Sequence, residues 1–464
     1  MDSELASLSV HVDGEGNTGR RTFRIRGVYG DARQGEERDY RIVANDQHAY
    51  LDLFASLARD FGTRMPRNRM ARSAPRFEAR YRPLLTSNIA PGIRYGYGDP
   101  AVCREPIAQA GGSGAWHLVV TSNDAPDSFP ILCSDDLQHW SHAGYVFPAR
   151  RKPAWCLDGE HVSDFWAPEL HFVHGRYLLC FCARERDRSL AIGLATAPGP
   201  AGPFTAEAAP LLRGGVIDPH IFVDRDGDPI LFWKDDSNAR WPRLFAELLQ
   251  KDQTCVPALF PAGEDQRTAL LIAALWPWAR GIQPMEQFFL LQPLIEAVVD
   301  RFPDVRRQLA AMGYPEIAAA MRTPIFAQRL SSRSLELLGS PTVVLENDLA
   351  WEGHLIEGPW LYEHQGRFYL FYAGNDFSTD DYGIGVAVAD APFGPYRKIA
   401  EPLLRSTASW AGPGHPSVVT DSAGQPRIFF HAFFPGRAAY KEFRALLNAQ
   451  LMISGETVEL LDER

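Results

Sequence analysis

Short apolar stretches rich in aromatic residues recur along the chain, and each follows closely after a glycine. The five clearest stretches are Trp116–Val120, Tyr177–Phe181, Ile230–Trp233, Phe368–Tyr372 and Ile428–His431. A glycine just before such a stretch is typical of a hairpin turn, so the pattern predicts antiparallel β-strands. Small and branched residues alternate in two further predicted strands, Leu190–Ala195 and Ile384–Ala389.

A short phrase comes before each of the five aromatic strands: a polar or small residue, a proline, and then the apolar start of another strand. The residues just before the five prolines are Asp99, Ala167, Asp218, Gly358 and His415. Five units of several short antiparallel strands predict an all-β fold, a five-bladed β-propeller, in which each blade packs on its neighbours. The alternative is a β-sandwich with coincidental proline-containing turns.

The interval from Asp218 to Gly358 is more than twice as long as any other interval between phrases. We therefore predict that a helical insertion at about 250–323 interrupts one blade. Its helices are predicted from apolar residues at a spacing of three to four, with prolines between the pieces. Three roles fit this insertion: a lid, an interface between copies in a homo-oligomer, or an addition without a function.

The residues before the propeller, 1–85, are predicted to form an N-terminal α+β extension. Thr22–Val28 alternates like a strand, and Asp46–Phe61 reads as a helix with an N-cap at Asn45 or Asp46. Residues 86–464 are predicted to be the propeller domain that carries the active site. The sequence predicts no function for the extension.

The balance of charges narrows the choice of partners. The chain has 464 residues and a formal net charge of −10, which argues against nucleic acid and anionic membrane surfaces. Its most apolar run, Ala269–Trp276, is too short to span a bilayer. The first residues do not have the pattern of a secretory signal, so we expect a cytoplasmic protein with reduced thiols.

Carboxylates stand at or beside three of the five phrases: Asp99, Asp218 and Glu357. The innermost strands of a propeller converge on its axis, so these side chains are expected to meet in one hollow. Glycoside hydrolysis needs one carboxylate that activates water and one carboxylic acid that protonates the leaving oxygen. A third group adjusts the pKa of that acid.

With these motifs the chain resembles glycoside hydrolase family 43, the arabinofuranosidase, xylosidase and arabinanase family, from about residue 90 to the end of the last blade. The motifs are Gly98-Asp99-Pro100, Ser134-Asp135-Asp136-Leu137 with Trp140, Trp166-Ala167-Pro168-Glu169, Ile217-Asp218-Pro219, Glu357-Gly358-Pro359 and Gly412-Pro413-Gly414-His415. The resemblance implies that Asp99 is the general base, Asp218 the modulator of the acid's pKa, and Glu357 the general acid. It also implies inversion of the anomeric centre without a required cofactor.

Further site residues follow from the same resemblance. Phe129 and Trp166 are expected to flank the sugar, with a place in the core as the alternative. Glu169 is expected to be a substrate-pocket residue or a buried hydrogen-bonding one.

His415 is expected beneath the sugar, where it would help to hold a water or a Ca²⁺-like ion in the channel. A single imidazole is a poor calcium site by itself because that ion prefers oxygen ligands. The arginine on the sugar's hydroxyl groups is Arg437 or Arg444, and we take Arg437 as the substrate-binding residue.

The sequence thus predicts an inverting hydrolase of terminal α-L-arabinofuranosyl or β-D-xylosyl linkages, acting on oligosaccharides or glycoconjugates. A second interpretation is another five-bladed sugar enzyme, such as a retaining fructosidase or a glycoside phosphorylase. A third is a propeller that binds carbohydrate or protein partners without catalysis.

Overall fold

The computed structural model describes residues 5–14, 19–29, 34–70, 81–106 and 114–461. The chain divides into two compact units. The first unit comprises Met1–Ser73 and Ser237–Arg322, and the second comprises Ala74–Asp236 and Thr323–Arg464. Two stretches that lie far apart in sequence therefore fold together. No helix in the described part of the chain is both long and apolar enough to cross a bilayer.

The first unit combines a three-stranded antiparallel sheet with helices. Its described elements are β1 (Leu5–Asp13), β2 (Arg20–Tyr29), β3 (Gln34–Val43), α1 (Gln47–Phe61), α2 (Ser237–Lys251), α3 (Val256–Leu259), α4 (Gly263–Ala279), α5 (Pro284–Val299), α6 (Phe302–Ala311) and α7 (Pro315–Ala320). The predicted strand lies within β2, and the predicted helix matches α1. The side chain of Asp46 caps α1 by accepting a hydrogen bond from the backbone N–H of Ala49.

The helices α2–α7 begin before the expected boundary near residue 250. The first of them, α2, starts at Ser237, directly after the second strand of the interrupted sheet. Its buried residues Trp241, Phe245, Leu248 and Leu249 recur at helical spacing. Pro242 is the sixth residue of this helix, beyond the first turn, and the helix continues past it.

The second unit consists of antiparallel sheets, five of them among the described residues. Its strands are β4 (Arg82–Leu85), β5 (Ala101–Arg104), β6 (Trp116–Val119), β7 (Ser128–Ser134), β8 (Ser141–Phe147), β9 (Phe165–Val173), β10 (Arg176–Arg184), β11 (Leu190–Ala197), β12 (Thr205–Ala206), β13 (Val216–Val223), β14 (Pro229–Asp235), β15 (Ile325–Leu330), β16 (Leu337–Leu345), β17 (Ile356–His364), β18 (Arg367–Gly374), β19 (Gly383–Ala389), β20 (Arg397–Lys398), β21 (Ala411–Thr420), β22 (Pro426–Phe433), β23 (Arg444–Ser454) and β24 (Thr457–Leu461). The prediction of a mostly β chain with several antiparallel sheets is confirmed.

The first strands of the five sheets are neighbours in a closed cycle. Strand β5 contacts β9, β9 contacts β13, β13 contacts β17, β17 contacts β21, and β21 contacts β5. Side chains on some of these strands accept hydrogen bonds from the backbone of the neighbouring first strand. The backbone N–H of Leu361 donates to Nε2 of His220 over 2.9 Å, and the N–H of Val102 donates to Oγ of Ser417 over 2.9 Å. The starts of these strands are thereby held close together.

The boundary of the predicted extension at residue 85 needs a correction. Strand β4 pairs antiparallel with β23, with Pro83 opposite Leu447 and Leu85 opposite Leu446. Residues 82–85 therefore belong to the second unit. Since the partner strand lies more than 350 residues further along the chain, no local pattern could indicate this pairing.

Candidate active site

The residues that precede the five prolines share one unusual backbone conformation. Asp99, Ala167, Asp218, Gly358 and His415 have φ values of +54°, +43°, +54°, +57° and +52°. For residues other than glycine this conformation costs about 1–3 kcal/mol, and it is concentrated at functional sites. In four of the five sheets the ladder between the first two strands shifts its register at this point. A bulge of this kind redirects side chains, so the recurring phrase marks a recurring structural feature.

Asp99 lies among groups that stabilise its ionised form. Its Oδ2 accepts a hydrogen bond from Oγ1 of Thr121 over 2.5 Å, and its Oδ1 accepts one from Nη1 of Arg444 over 2.8 Å. Nδ1 of His415 lies 3.6 Å from the same Oδ1. Burial alone would raise the pKa of Asp99, but the charge of Arg444, the nearby histidines, His431 included, and the Thr121 hydroxyl hold it well below its usual range. Asp99 is therefore a carboxylate.

Asp218 and Glu357 are neighbouring acidic residues of the same site. Oδ2 of Asp218 accepts a hydrogen bond from the backbone N–H of Gly358 over 2.8 Å, which links β13 to β17. Oε1 of Glu357 accepts one from the hydroxyl of Tyr382 over 2.9 Å. The ammonium group of Lys234 lies 4.0 Å from Oε2 of Glu357.

The pKa values of this pair of carboxyls move in the opposite direction to that of Asp99. Burial, together with the charge of Asp99, raises the pKa of Asp218 to about 7. Burial, together with the charge of Asp218, raises the pKa of Glu357 to about 8, against the opposing effect of Lys234. Near neutral pH the pair therefore retains at least one proton, and the two groups titrate as a pair.

The charges of all three acidic side chains act on one phenol, that of Tyr382. Burial raises the pKa of Tyr382 well above its usual value, and the charges of Glu357, Asp218 and Asp99 raise it further. The Tyr382 ring lies against Gly414, where an added Cβ would come within 1.7 Å of the ring. The structure thus brings together the three carboxyl groups that the sequence singled out.

Glu169 belongs to a buried hydrogen-bonded network one residue beyond its proline. Its Oε2 accepts hydrogen bonds from Nε2 of His171 over 2.8 Å and from Nδ1 of His220 over 2.7 Å. Burial lowers the pKa of His220 to about 3, so this ring is neutral. Of the two roles left open for Glu169, these contacts match the buried hydrogen-bonding one.

The two aromatic residues expected beside the sugar lie in different surroundings. Phe129 has no exposed surface, and its ring packs against Phe147, Phe165 and Phe181 at 5.5–6.0 Å. Because no solvent reaches it, Phe129 belongs to the core instead of the sugar-binding surface. Trp166 is partly exposed, and its indole N–H donates to Oδ1 of Asn123 over 2.8 Å.

The choice of Arg437 as the substrate-binding arginine is not supported. The Arg437 side chain is 63% exposed and forms an ion pair with Glu442. The other candidate, Arg444, is buried and bonds to Asp99. An isolated parallel β-bridge between Gly96 and Arg444 places this arginine beside Gly98-Asp99-Pro100.

Sequence reasoning missed Thr121, Lys234, His431 and Tyr382. Three of them lie at or just beyond the end of the second strand of a sheet, which in an antiparallel ladder adjoins the start of the first strand. Lys234 lies opposite Ile217, and His431 lies opposite Gly414. An antiparallel alignment of the predicted first and second strands would have indicated these positions. Tyr382 stands just before β19, and no local signal distinguished it.

The residues around His415 do not form an evident cation site. Among the described residues, the group of acidic, histidine and cysteine donors close enough to share an ion is Glu169, His171 and Cys180, and His415 is not a member. Within that group Glu169 already accepts two hydrogen bonds, and burial raises the pKa of the Cys180 thiol well above its usual value. These residues do not fit Ca²⁺, and the ion near His415 stays a prediction.

The chain is similar to one protein family and to several known proteins. The model of the family "Glycosyl hydrolases family 43" matches residues 91–257 and 304–453. Xylosidase/arabinosidase 43A of Humicola insolens is 25% identical over 272 residues, which cover 58% of this chain and 66% of that protein. A xylosidase/arabinosidase of Bacteroides ovatus is 20% identical over 272 residues, which cover 59% and 65%. The matched region thus spans no more than about two thirds of these curated relatives.

Solved structures show the same fold. A thermostable family-43 glycoside hydrolase superposes with a TM-score of 0.55 at 24% identity, covering 79% of this chain and 92% of that one. A GH43_1 enzyme from Xanthomonas citri has a TM-score of 0.51 at 20% identity, covering 82% and 93%. At these identities the likeness concerns the fold.

Proposed function

Because this chain belongs to the glycosyl hydrolases of family 43, we propose that it is an inverting hydrolase of terminal α-L-arabinofuranosyl or β-D-xylosyl linkages. Its substrates are oligosaccharides or glycoconjugates. One observation carries the assignment of roles: within one buried site, Asp99 is held ionised while burial and neighbouring charge keep a proton on the Asp218–Glu357 pair. Carboxyl groups whose environments drive their pKa values apart are suited to act as base and acid.

We further propose that the second unit is a five-bladed β-propeller. The support is the closed cycle of contacts among the first strands of five sheets. The repeated positive φ before each proline supports it too. In such a fold the starts of the innermost strands open into one hollow, where a terminal sugar would be bound.

In the proposed reaction Asp99 accepts a proton from water. As the water oxygen bonds to the anomeric carbon, the bond from that carbon to the leaving oxygen breaks, and Glu357 gives its proton to the leaving oxygen. A single displacement of this kind needs roughly 6.5–9.5 Å between the two carboxyl groups, so that water fits between them. The steps use only side chains of this chain and no cofactor.

The low pKa of Asp99 is compatible with its role as the base. The transition state of glycoside hydrolysis resembles an oxocarbenium ion, to which water adds readily. The water becomes acidic as its oxygen forms the new bond, so a weak base suffices to remove the proton. Protonation of the leaving oxygen depends more strongly on the catalytic group, which must hold a proton near neutral pH. The raised pKa of Glu357 provides this.

The experiment is a panel of aryl pentosides and aryl fructosides tested with the wild type, Asp99→Asn, Glu357→Gln and the matched control Asp226→Asn. Asp226 is exposed and lies outside the site. We expect pentoside hydrolysis by the wild type and by the control, with losses on the order of 10²–10⁴-fold in the two site variants. Proton NMR of the first-formed sugar should show the inverted anomer.

Other outcomes would replace this proposal. An initially retained anomer rejects the single displacement, and a requirement for phosphate indicates a phosphorylase. A wild type that is inactive on every glycoside, with or without phosphate, would favour a binding protein.

A further inference from the structure

A fully buried lysine lies beside the proposed acid. Lys234 stands on β14, opposite Ile217 in the ladder with β13, and its residue surface is 0% exposed. Its ammonium nitrogen lies 4.0 Å from Oε2 of Glu357. Burying an ammonium group is unfavourable unless nearby negative charge compensates it, so the position requires an explanation.

Titratable groups on β13 and β17 and just before β17 interact with the charge of Lys234. Asp218 on β13 and Glu357 on β17 are its acidic neighbours, and its charge acts on the pKa of each. His354, just before β17, has a pKa of about 3, lowered by burial and then by Lys234, so its ring is neutral. The charge of Lys234 therefore faces the acid pair.

The buried cations of the site can be matched with its carboxylates. Arg444 bonds to Asp99, which accounts for one ion pair. Lys234 lies beside Glu357, and its charge lowers the pKa of both Glu357 and Asp218, so it favours the ionised form of the pair. When Glu357 gives its proton to the leaving oxygen, the pair carries two negative charges, and the ammonium nitrogen of Lys234 lies 4.0 Å from Oε2 of Glu357.

We propose that Lys234 is a positioning residue for proton donation, whose ammonium group compensates the negative charge that Glu357 acquires as it protonates the leaving group. The inference rests on the proposed hydrolase function and deepens it. A merely structural lysine would lower the rates of all substrates alike. A lysine that assists the acid matters most for leaving groups that need protonation.

The test uses pentosides that differ only in the phenol: 2,4-dinitrophenyl, 4-nitrophenyl and phenyl glycosides of the sugar that the wild type cleaves fastest. In Lys234→Met we expect kcat/KM to fall on the order of 100-fold for the phenyl glycoside and less than about tenfold for the dinitrophenyl glycoside. The ratio of the two rates does not depend on how much of the variant is folded. Lys234→Arg should keep a ratio close to that of the wild type.

The matched control is Lys398→Met, which removes a lysine of the same unit whose side chain is 9% exposed. Lys398 pairs with Glu352 and Asp348, neither of which belongs to the proposed site. Its leaving-group ratio should equal that of the wild type. A ratio unchanged in Lys234→Met would overturn the inference while the hydrolase assignment stands. A wild type that cleaves none of the three glycosides would overturn both.

Discussion

Arg444 donates a hydrogen bond from Nη1 to Oδ1 of Asp99 over 2.8 Å, across 345 positions of sequence. The guanidinium group lies close to Gly98, where an added Cβ would come within 1.8 Å of Cζ. The bond joins the start of the last sheet's third strand to the residue before the first proline. It positions the proposed base and keeps it ionised.

Removal of this arginine should impair catalysis. In Arg444→Met the pKa of Asp99 rises because its main compensating charge is gone, so the acidic limb of the pH–rate profile moves to higher pH. We expect kcat to fall on the order of 10²-fold or more near neutral pH. The matched control is Arg437→Met, which removes an exposed arginine and should stay within about twofold of the wild type. Equal effects of the two variants would contradict the placement of Arg444 in the site.

The close contact between Gly414 and Tyr382 leaves no room for a methyl group. Gly414→Ala would place Cβ 1.7 Å from the Tyr382 ring and displace the phenol that donates to Glu357. We expect a loss of kcat/KM of at least about tenfold, measured with an aryl pentoside. Gly199→Ala is the control because the nearest atom to its Cβ would lie 3.7 Å away. Full activity of Gly414→Ala would show that the Tyr382 hydroxyl has no role.

The alkaline limb of the pH–rate profile should be set by the pair Asp218 and Glu357. Because Glu357 must carry a proton, kcat/KM should fall about tenfold per pH unit above an apparent pKa near 8. The acidic limb should lie far lower because Asp99 stays ionised well below its usual range. In Asp218→Asn the loss of a neighbouring negative charge should move the alkaline limb to lower pH. Activity that is constant up to pH 10 would rule out Glu357 as the acid.

The raised pKa of Glu357 also predicts a stability effect. The folded state holds this proton up to pH 8 or so, whereas the unfolded chain releases it near 4.5, so the wild type loses stability as pH rises through this window. Glu357→Gln removes the titrating group. Its melting temperature should therefore exceed that of the wild type by a margin that grows from pH 5 to pH 8, reaching a few degrees. Thermal melts at several pH values check this, and a margin independent of pH would contradict it.

The part of the site that was predictable from sequence is the part that depends on local backbone geometry. A proline after a bulged, positive-φ residue leaves a recurring phrase, and that phrase led to Asp99, Asp218 and Glu357. Lys234 and His431 were missed because their proximity depends on the register of a second strand. Arg444 was undecided because a bridge between distant segments, Gly96 and Arg444, positions it.

The domain organisation was harder to predict from the sequence because it also depends on contacts between distant segments. The extension and the helices were each predicted from their own periodicity, but their association into one unit was not. That association depends on contacts such as that of Arg21 with Glu286, 265 positions apart. A lone arginine within a strand has no sequence signature that names its partner.

This ion pair supplies the last prediction. Arg21 on β2 donates from Nε and Nη2 to the two carboxylate oxygens of Glu286 on α5, at 3.0 and 2.9 Å. The hydroxyl of Tyr50 on α1 donates to the same carboxylate over 2.7 Å. The side chains of Arg21 and Glu286 are 3% and 0% exposed, so neither charge can be solvated if its partner is lost.

Arg21→Met should destabilise the first unit by about 3–5 kcal/mol because it leaves Glu286 buried without its cation. The double variant Arg21→Met/Glu286→Leu should recover most of that loss, since a buried ion pair can often be replaced by apolar residues at little cost. Arg24→Met on the same strand removes an arginine whose side chain is 39% exposed and pairs with Asp39, and it should change stability little because solvent screens this pair. Hydrogen exchange of the amides of α1 and α5 measures all three variants. If Arg21→Met is as stable as Arg24→Met, the buried pair does not hold β2 to α5.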